Sequence, residues 1–284
     1  MNSLVQLNNV SKRFGSTKAL DGITLDIPKG RIVGLVGPNG AGKTTMLLAL
    51  TGLIDYEGEI SILGVEPKKD RPMLMKKTGV IHDIAVLPPW MTVKQVLTFQ
   101  ENIHPGFHRE RCEIILKSTE ITLNKKVKHL SKGMKTQLHL AVVLTTDTQL
   151  LILDEPTHGL DILFRRRLYS SVLEDYFDET KSVLISTHQV EEVEHILTDV
   201  IFINHGKIIL YESMEKLNER FILLTVADSE AENVRKMNPL TENSHLGRKV
   251  FLLEKPDREK IEGLGKVTTP SIVDIFMAIM GGAK

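Results

Sequence analysis

The feature that most constrains this chain is Gly37-Pro-Asn-Gly40-Ala-Gly42-Lys43-Thr44-Thr45, set between the apolar runs at 31–36 (Arg-Ile-Val-Gly-Leu-Val) and 46–50 (Met-Leu-Leu-Ala-Leu). The three pieces read in order as strand, glycine-rich loop and helix, the context that gives the pattern G-x-x-x-x-G-K-[ST] its meaning. Glycines let the backbone approach an anion, successive N–H groups form a nest, and a helix opening near Lys43 turns its positive end toward the same charge. The loop is read as a cradle for nucleotide phosphates, built by Gly37, Pro38, Asn39, Gly40, Ala41, Gly42, Lys43, Thr44 and Thr45. Lys43 is expected to reach the β- and γ-phosphates, and the Thr44 hydroxyl to ligate Mg²⁺.

With 284 residues the chain has room for one sizeable α/β domain and a smaller appendage. Lys+Arg and Asp+Glu both number 36, so nothing in the totals suggests a nucleic-acid surface, and the positive site is local. A single cysteine, Cys112, excludes an intramolecular disulfide and a cysteine-based zinc cluster, fits a reducing compartment, and is expected as a small, partly buried residue. No apolar run approaches the ~18 to 20 residues of a membrane-spanning helix, and the N-terminus lacks a basic flank ahead of an apolar core. The expectation is a cytoplasmic protein that meets a membrane through a partner chain.

Residues 4–10 and 19–27 alternate apolar and polar, which predicts two half-buried strands, and Pro28-Lys-Gly30 turns the second into the wholly apolar run at 31–36. An antiparallel layer leaning on a parallel core covered on both faces follows from that change of pattern. Phe14 falls in a turn between the first two strands, either as a core anchor or as a surface on which adenine stacks. Tyr56 to Gly64 reads as a short hairpin strand, 65–77 as a solvated connection rich in Lys, Arg and Pro, and Gly79-Val-Ile81 as another strand.

From about residue 85 to 145 the chain reads as a helical insertion. Thr92 precedes Val93, Val96, Leu97 and Phe99 at helical spacing, and a second helix runs through 109–116. His82, His104, His108 and His129 lack metal-ligand spacing and are read as packed or solvated. Ser131 is placed as the N-cap of a helix with Met134, Leu138, Ala141 and Val142 as its apolar stripe.

The buried strand Leu150-Leu-Ile-Leu153 ends in Asp154-Glu155, two carboxylates at the edge where open α/β sheets bind ligands. Mg²⁺ on a nucleotide would supply their counter-charge, with Asp154 in the metal's coordination shell and Glu155 orienting or deprotonating an attacking water. Gly159-Leu-Asp161 follows as a loop, then a helix from about 162 to 177. The strand Ser182-Val-Leu-Ile-Ser186 ends in Thr187-His188, ahead of an acidic helix containing Glu191, Glu192, Val193 and Ile196. His188 emerges at the same edge as Asp154, either to meet a γ-phosphate oxygen or as a structural histidine. Residues 199–203 and 207–211 form a closing hairpin. Beyond about 217, two strands (221–226 and 249–253) and a helix (272–280) make a small unit in which no chemistry is legible.

Taken in this order over residues 2–215, the phosphate loop, the Ser131 segment, Asp154-Glu155, Asp161 and His188 resemble the ATP-binding subunit of ATP-binding-cassette transporters. The resemblance identifies Gly37 to Thr45 as Walker A, Leu150 to Glu155 as Walker B with its catalytic glutamate, Gly159-Leu-Asp161 as the D-loop, and Ser186-Thr-His188 as the switch-histidine loop. It gives Phe14 the adenine-stacking position. Two positions depart from the family pattern. The signature Leu-Ser-Gly-Gly is here Leu130-Ser131-Lys132-Gly133, a Lys-Gly-Met-Lys variant familiar in the branch serving ABC-2 type exporters, and the metal-contacting Gln position falls on Asp83. The implied fold is a P-loop NTPase core of mostly parallel sheet with an antiparallel β subdomain, the helical insertion and a small α+β C-terminal appendage. The domains are then 1–217, with the helical subdomain at about 85–145, and 218–284.

The resemblance implies an ATPase with Glu155, His188 and Lys43 as catalytic residues, ATP and Mg²⁺ as cofactors, and Thr44, Asp154 and Asp83 near the metal. Each ATP would lie between Walker A of one subunit and Ser131 and Gly133 of a second, in a homo- or heterodimer, with Asp161 also at the nucleotide. Closure would drive transmembrane permease subunits from the cytoplasmic face of the membrane, in the export direction given the signature variant and the tail Pro270-Ser-Ile-Val-Asp-Ile-Phe276. The alternatives are a soluble cassette ATPase acting on ribosomes or DNA, and an interaction protein that binds ATP with little turnover, which only Asp83 encourages.

Overall fold

The computed structural model describes residues 3–82, 87–157, 160, 165, 169–170, 176–245 and 247–281. The alternating N-terminal segments form β1 (Ser3–Phe14) and β2 (Thr17–Pro28), paired antiparallel from Ser3↔Pro28 to Phe14↔Thr17. The wholly buried run becomes β3 (Ile32–Val36), and the phosphate loop leads into α1 (Lys43–Leu50), which buries Met46, Leu47 and Leu50. The expected hairpin strand is β4 (Glu57–Ile62), antiparallel to β1 and completing a three-stranded sheet ordered β2-β1-β4.

The 65–77 connection is not simply solvated loop. It contains a short helix, α2 (Arg71–Met75), whose N-cap Asp70 accepts a hydrogen bond from the Met73 N–H, with Pro72 in the first turn, where a proline ring costs nothing. Strand β5 (Thr78–Ile81) follows. The helical insertion is built from α3 (Val93–Ile103), α4 (Arg109–Lys117) and α5 (Lys132–Leu144). Thr92 and Gln95 form a reciprocal capping box at the head of α3. The three helices share an apolar core that includes Val93, Leu97, Cys112, Leu116, Leu138 and Ala141. Cys112 is wholly enclosed there, and burial pushes its thiol pKa up to about 12, which makes it inert.

Strands β6 (Leu150–Asp154), β7 (Ser182–Thr187), β8 (Asp199–Asn204) and β9 (Lys207–Ser213) join β3 and β5 in a six-stranded sheet ordered β5-β6-β7-β3-β8-β9. The pairs β5–β6, β6–β7 and β7–β3 are parallel, with Val36 opposite Thr187 and Asp154 opposite Ser186. That register ends β3, β6 and β7 at one edge, so the phosphate loop, Asp154-Glu155 and His188 all leave the sheet together. The helix expected over 162–177 falls mostly outside the described residues, of which Arg165, Tyr169 and Ser170 are helical. The acidic helix expected after His188 is instead two 3-10 turns, Val190–Glu192 and Glu194–Ile196, too short for a continuous helical stripe.

The C-terminal region carries α6 (Met214–Arg220), β10 (Phe221–Ala227), α7 (Ala231–Arg235), β11 (Thr241–His245), β12 (Arg248–Glu254), α8 (Arg258–Ile261), β13 (Gly265–Thr268) and α9 (Ile272–Gly281). Its sheet has four antiparallel strands ordered β11-β12-β10-β13, where the sequence pattern predicts two. Leu224, Val226, Val234, Phe251 and Leu253 form its core. The chain divides into two compact units, Met1–His188 with Ile201–Leu210, and Gln189–Val200 with Tyr211–Lys284.

Candidate active site

The phosphate loop is pressed against its own scaffold. A side chain at Gly37 would place Cβ 2.3 Å from the Ile203 carbonyl oxygen, and one at Gly42, where φ is +111°, 2.6 Å from that of Ala19. Only glycine fits at either position, and the loop keeps its backbone free to meet an anion on the other side. Lys43 is buried, and its ammonium donates to the carbonyls of Gly37 at 2.7 Å and Pro38 at 3.3 Å. Burial pulls the Lys43 pKa below its ordinary value, while Glu155 and Asp154 work in the other direction.

Asp154 is 2 % exposed at the end of β6. Its Oδ1 accepts hydrogen bonds from the Ser186 hydroxyl and, at 3.4 Å, from that of Thr44. The two hydroxyls reach it from the strand beside β6 and from the head of α1, so one buried carboxylate joins three elements. Glu155 is the next residue, held at φ +48°, with its N–H donating to the Ser186 carbonyl at 3.0 Å. Its Oε2 lies 2.8 Å from His188 Nδ1 and also accepts from the His188 N–H at 3.4 Å. The structure therefore brings Lys43, Thr44, Asp154, Glu155 and His188 together at one sheet edge.

Phe14 ends β1 with half its surface exposed, so it is no core anchor, and the Lys12 ammonium sits 5.1 Å from the ring centroid. Ser131 caps α5 by accepting the Met134 N–H at 3.2 Å, and Gly133 lies in the first turn. No hydrogen bond joins Ser131 to the phosphate loop among the described residues. Asp83 and Asp161 lie outside the described residues. Two contributors were not foreseen. Ser186, read as a strand residue and as the start of the switch-histidine loop but given no partner, hydrogen-bonds Asp154, and His82, read as packed or solvated, is half-buried in the field of Asp154, its pKa lowered by burial. No sequence spacing announces either, because both contacts depend on strand register.

The donor set suits a hard divalent cation shared with phosphates. Asp154 and Thr44 offer adjacent oxygens, and no cluster of three or more His, Cys, Asp or Glu that could hold a metal alone exists among the described residues. Mg²⁺ takes one or two protein oxygens and fills its remaining positions with water and phosphate.

A parallel sheet with a glycine loop, lysine and buried carboxylate at its carboxyl edge defines a P-loop nucleoside triphosphatase. A family model described as ABC transporter matches residues 20–158. The chain is 33% identical over 232 residues, 77% of its length and 96% of the relative's, to the lantibiotic transport ATP-binding protein SrtF of Streptococcus pyogenes. It is 28% identical over 295 residues, 99% of each chain, to the ABC transporter ATP-binding protein YtrB of Bacillus subtilis (strain 168). The chain belongs to the ABC transporter family, as an ATP-binding subunit. Among solved structures, the ATP-binding cassette MJ0796, a dimer in a post-hydrolysis state bound to ADP and Pi, matches with a TM-score of 0.63 at 25% identity, over 74% of this chain and 98% of that one. The protein binds ATP, hydrolyses it to ADP and phosphate, and is the motor of a transporter. The soluble ribosome- or DNA-directed alternative finds no support in these relatives.

Proposed function

We propose that this subunit powers export through partner membrane chains by ATP-driven, head-to-tail pairing of two nucleotide-binding subunits. The observation that carries the assignment of roles is the Glu155–His188 pair beside Asp154 at the mouth of the phosphate loop. Lys43 leaves the Gly37 and Pro38 carbonyls to meet the β- and γ-phosphates. Thr44 and Asp154 would hold Mg²⁺, which when bound would supply positive charge against that developing on the transferring phosphate. Glu155 accepts a proton from the attacking water, and His188, through Nδ1, fixes the carboxylate and leaves its other ring nitrogen for the γ-phosphate. Phe14 stacks on adenine. Ser131 and Gly133, at the head of α5, face the γ-phosphate held by the other subunit, with Asp161 nearby and Asp83 near the metal.

Export, rather than import, is supported by the Lys-Gly-Met-Lys signature, and a place on the cytoplasmic face of a membrane by the transport relatives. No helix among the described residues is long and apolar enough to cross a membrane. The membrane chains dock at an apolar cleft of about 520 Å³ lined by Met75, Val80, Val96, Phe99, Ile103 and Val142. Among the described residues, three buried polar atoms of its lining side chains have no hydrogen-bond partner: Thr78 Oγ1, His104 Nε2 and His139 Nδ1. Residues 218–284 form an accessory domain.

The test is Glu155→Gln, which keeps shape and hydrogen bonding and removes the base. Turnover should fall by about 10²-fold or more, and ATP should accumulate a dimer in sedimentation velocity. Unchanged turnover removes Glu155 from its role.

A further inference from the structure

Strands β8 and β9 are joined by two residues, His205 and Gly206, at φ +46° and +74°. Positive φ at both central positions is the geometry of a type I′ hairpin turn, which favours glycine at the second. The turn lies in the stretch Ile201–Leu210, which belongs to the same compact unit as the phosphate loop. Gly206 is buried, and both of its backbone polar groups are engaged. Its N–H donates to the Ala41 carbonyl at 2.9 Å, and its carbonyl accepts from the Asp21 N–H at 2.9 Å. The turn is thereby held between β2 and the phosphate loop. A side chain at 206 would place Cβ 2.7 Å from the Ala19 carbonyl oxygen, so only glycine lets the turn come this close. The exposed Lys207 ammonium, 3.4 Å from Asp21 Oδ2, adds a tie of small worth.

An anion cradle needs its N–H groups turned inward and its carbonyls turned away. Lys43 takes the carbonyls of Gly37 and Pro38, and the Met46 N–H takes that of Gly42 at 2.8 Å. Among the described residues, the Ala41 carbonyl is the loop carbonyl whose donor comes from outside the loop and α1. The planar trans peptide gives that bond a geometric consequence, because the Ala41 carbonyl and the Gly42 N–H belong to one rigid group and point in opposite directions. Holding the carbonyl toward Gly206 therefore turns the Gly42 N–H away from the hairpin. That N–H has no acceptor among the described residues, which leaves it free for an anion.

We infer that Gly206 is a positioning residue for nucleotide binding: its N–H fixes the tilt of the Ala41–Gly42 peptide and so aims the Gly42 N–H at the phosphates. The inference rests on the phosphate loop being the ATP site. A donor that meets the phosphates before and during transfer alike contributes uniform binding, so its misalignment raises KM and leaves kcat unchanged.

The experiment measures steady-state ATPase of the full-length chain with glycolic acid incorporated at position 206, which replaces the amide by an ester and deletes the N–H while keeping the backbone's shape. KM for ATP should rise about fivefold, the worth of one such hydrogen bond, and kcat should stay within about twofold of wild type. Gly206→Ala should raise KM further, because its methyl group pushes the turn off Ala19, and should lower the thermal midpoint. The control is a second turn of the same kind, Leu63-Gly64, at φ +51° and +77° between the bridged pair Ile62 and Val65, where nothing lies within 4 Å of a Cβ at 64. Gly64→Ala carries the same backbone strain and should lose stability with KM unchanged. Lys43→Ala should lose ATP affinity. Wild-type KM in the ester variant alongside that loss overturns the inference, since the loop then binds ATP without Gly206. Equal rises of KM in Gly64→Ala and Gly206→Ala overturn it too, because KM then follows stability alone. Wild-type affinity in Lys43→Ala removes the loop assignment and this inference together.

Discussion

Glu155 occupies left-handed backbone at φ +48°, a region that costs a non-glycine residue about 1–2 kcal/mol. The bend there turns the carboxylate out of the sheet toward His188 while Asp154, one residue earlier, stays inside it under Ser186 and Thr44. Two adjacent carboxylates are given different partners, which is what the proposed separate roles at metal and water require. The sequence makes Asp154, Glu155 and His188 legible because each follows an apolar run, and Lys43 because it closes a glycine-rich phosphate loop. It hides Ser186 and His82, whose relation to Asp154 exists only once strands are in register. Buried histidine chemistry is equally hidden. His139 in α5 is partly buried beside the cleft, and burial, with His82 adding to it, pushes its pKa down to about 4 from an ordinary value near 6.5. A folded-state pKa below the unfolded one means the unfolded chain binds more protons between pH 6.5 and 4, so this stabilising contribution is complete above the unfolded value and is lost as pH falls toward the folded one. Wild-type protein should lose up to about 3 kcal/mol more than His139→Leu between pH 7 and pH 4. Urea unfolding of both at pH 7, 5.5 and 4.5 measures it, and parallel pH profiles would show that His139 does not titrate on unfolding.

At the scale of elements, the wholly apolar strands β3, β6 and β7 were readable because both faces are covered, and β1 and β2 because one face is. β11 and β13 were not. Every residue of β13 is exposed, and β11 is exposed at all but Thr241, so neither carries the alternation that marks a half-buried strand. They are held by backbone pairing to β12 and β10, which sequence pattern cannot show. The helix α5 poses the opposite problem, since Ser131 is legible as a cap from local pattern and its proposed role at a second nucleotide comes from the family resemblance alone. The two functions are separable. Ser131→Ala removes the cap bond to the Met134 N–H and should cost about 1 kcal/mol of stability. Ser131→Asp keeps a good cap and adds favourable charge at a helix N-terminus, so thermal stability should equal or exceed wild type. The same carboxylate would face the γ-phosphate of the opposing subunit, and like charges there should abolish ATP-driven dimerisation and turnover. Full ATPase activity in a stable Ser131→Asp would remove Ser131 from the nucleotide interface.

In the proposed function the motor's closure passes to partner membrane chains, and α3 is the element with a surface to spare. Phe99 and Ile103 are 49% and 56% exposed on the wall of the cleft, while Val93, Val96 and Leu97 of the same helix are buried in the helical core. Exposed residues of this size contribute little to folding, so the helix is over-supplied with apolar surface for a subunit acting alone. Around the cleft, Thr78 Oγ1, His104 Nε2 and His139 Nδ1 have no partner among the described residues, and the last belongs to an imidazole kept neutral by burial. The proposed membrane chain would cover the exposed Phe99 and Ile103 with an apolar segment. Phe99→Asp tests this without touching the core, and its thermal midpoint should stay within about 2 °C of wild type because the ring is half in solvent. Recovery of the membrane chain in affinity purification from detergent-solubilised membranes should fall at least about tenfold, the loss expected when a charge is placed in an apolar contact. A Phe99→Asp subunit that recovers its membrane partner at the wild-type level would place the docking surface elsewhere and leave the cleft without an occupant.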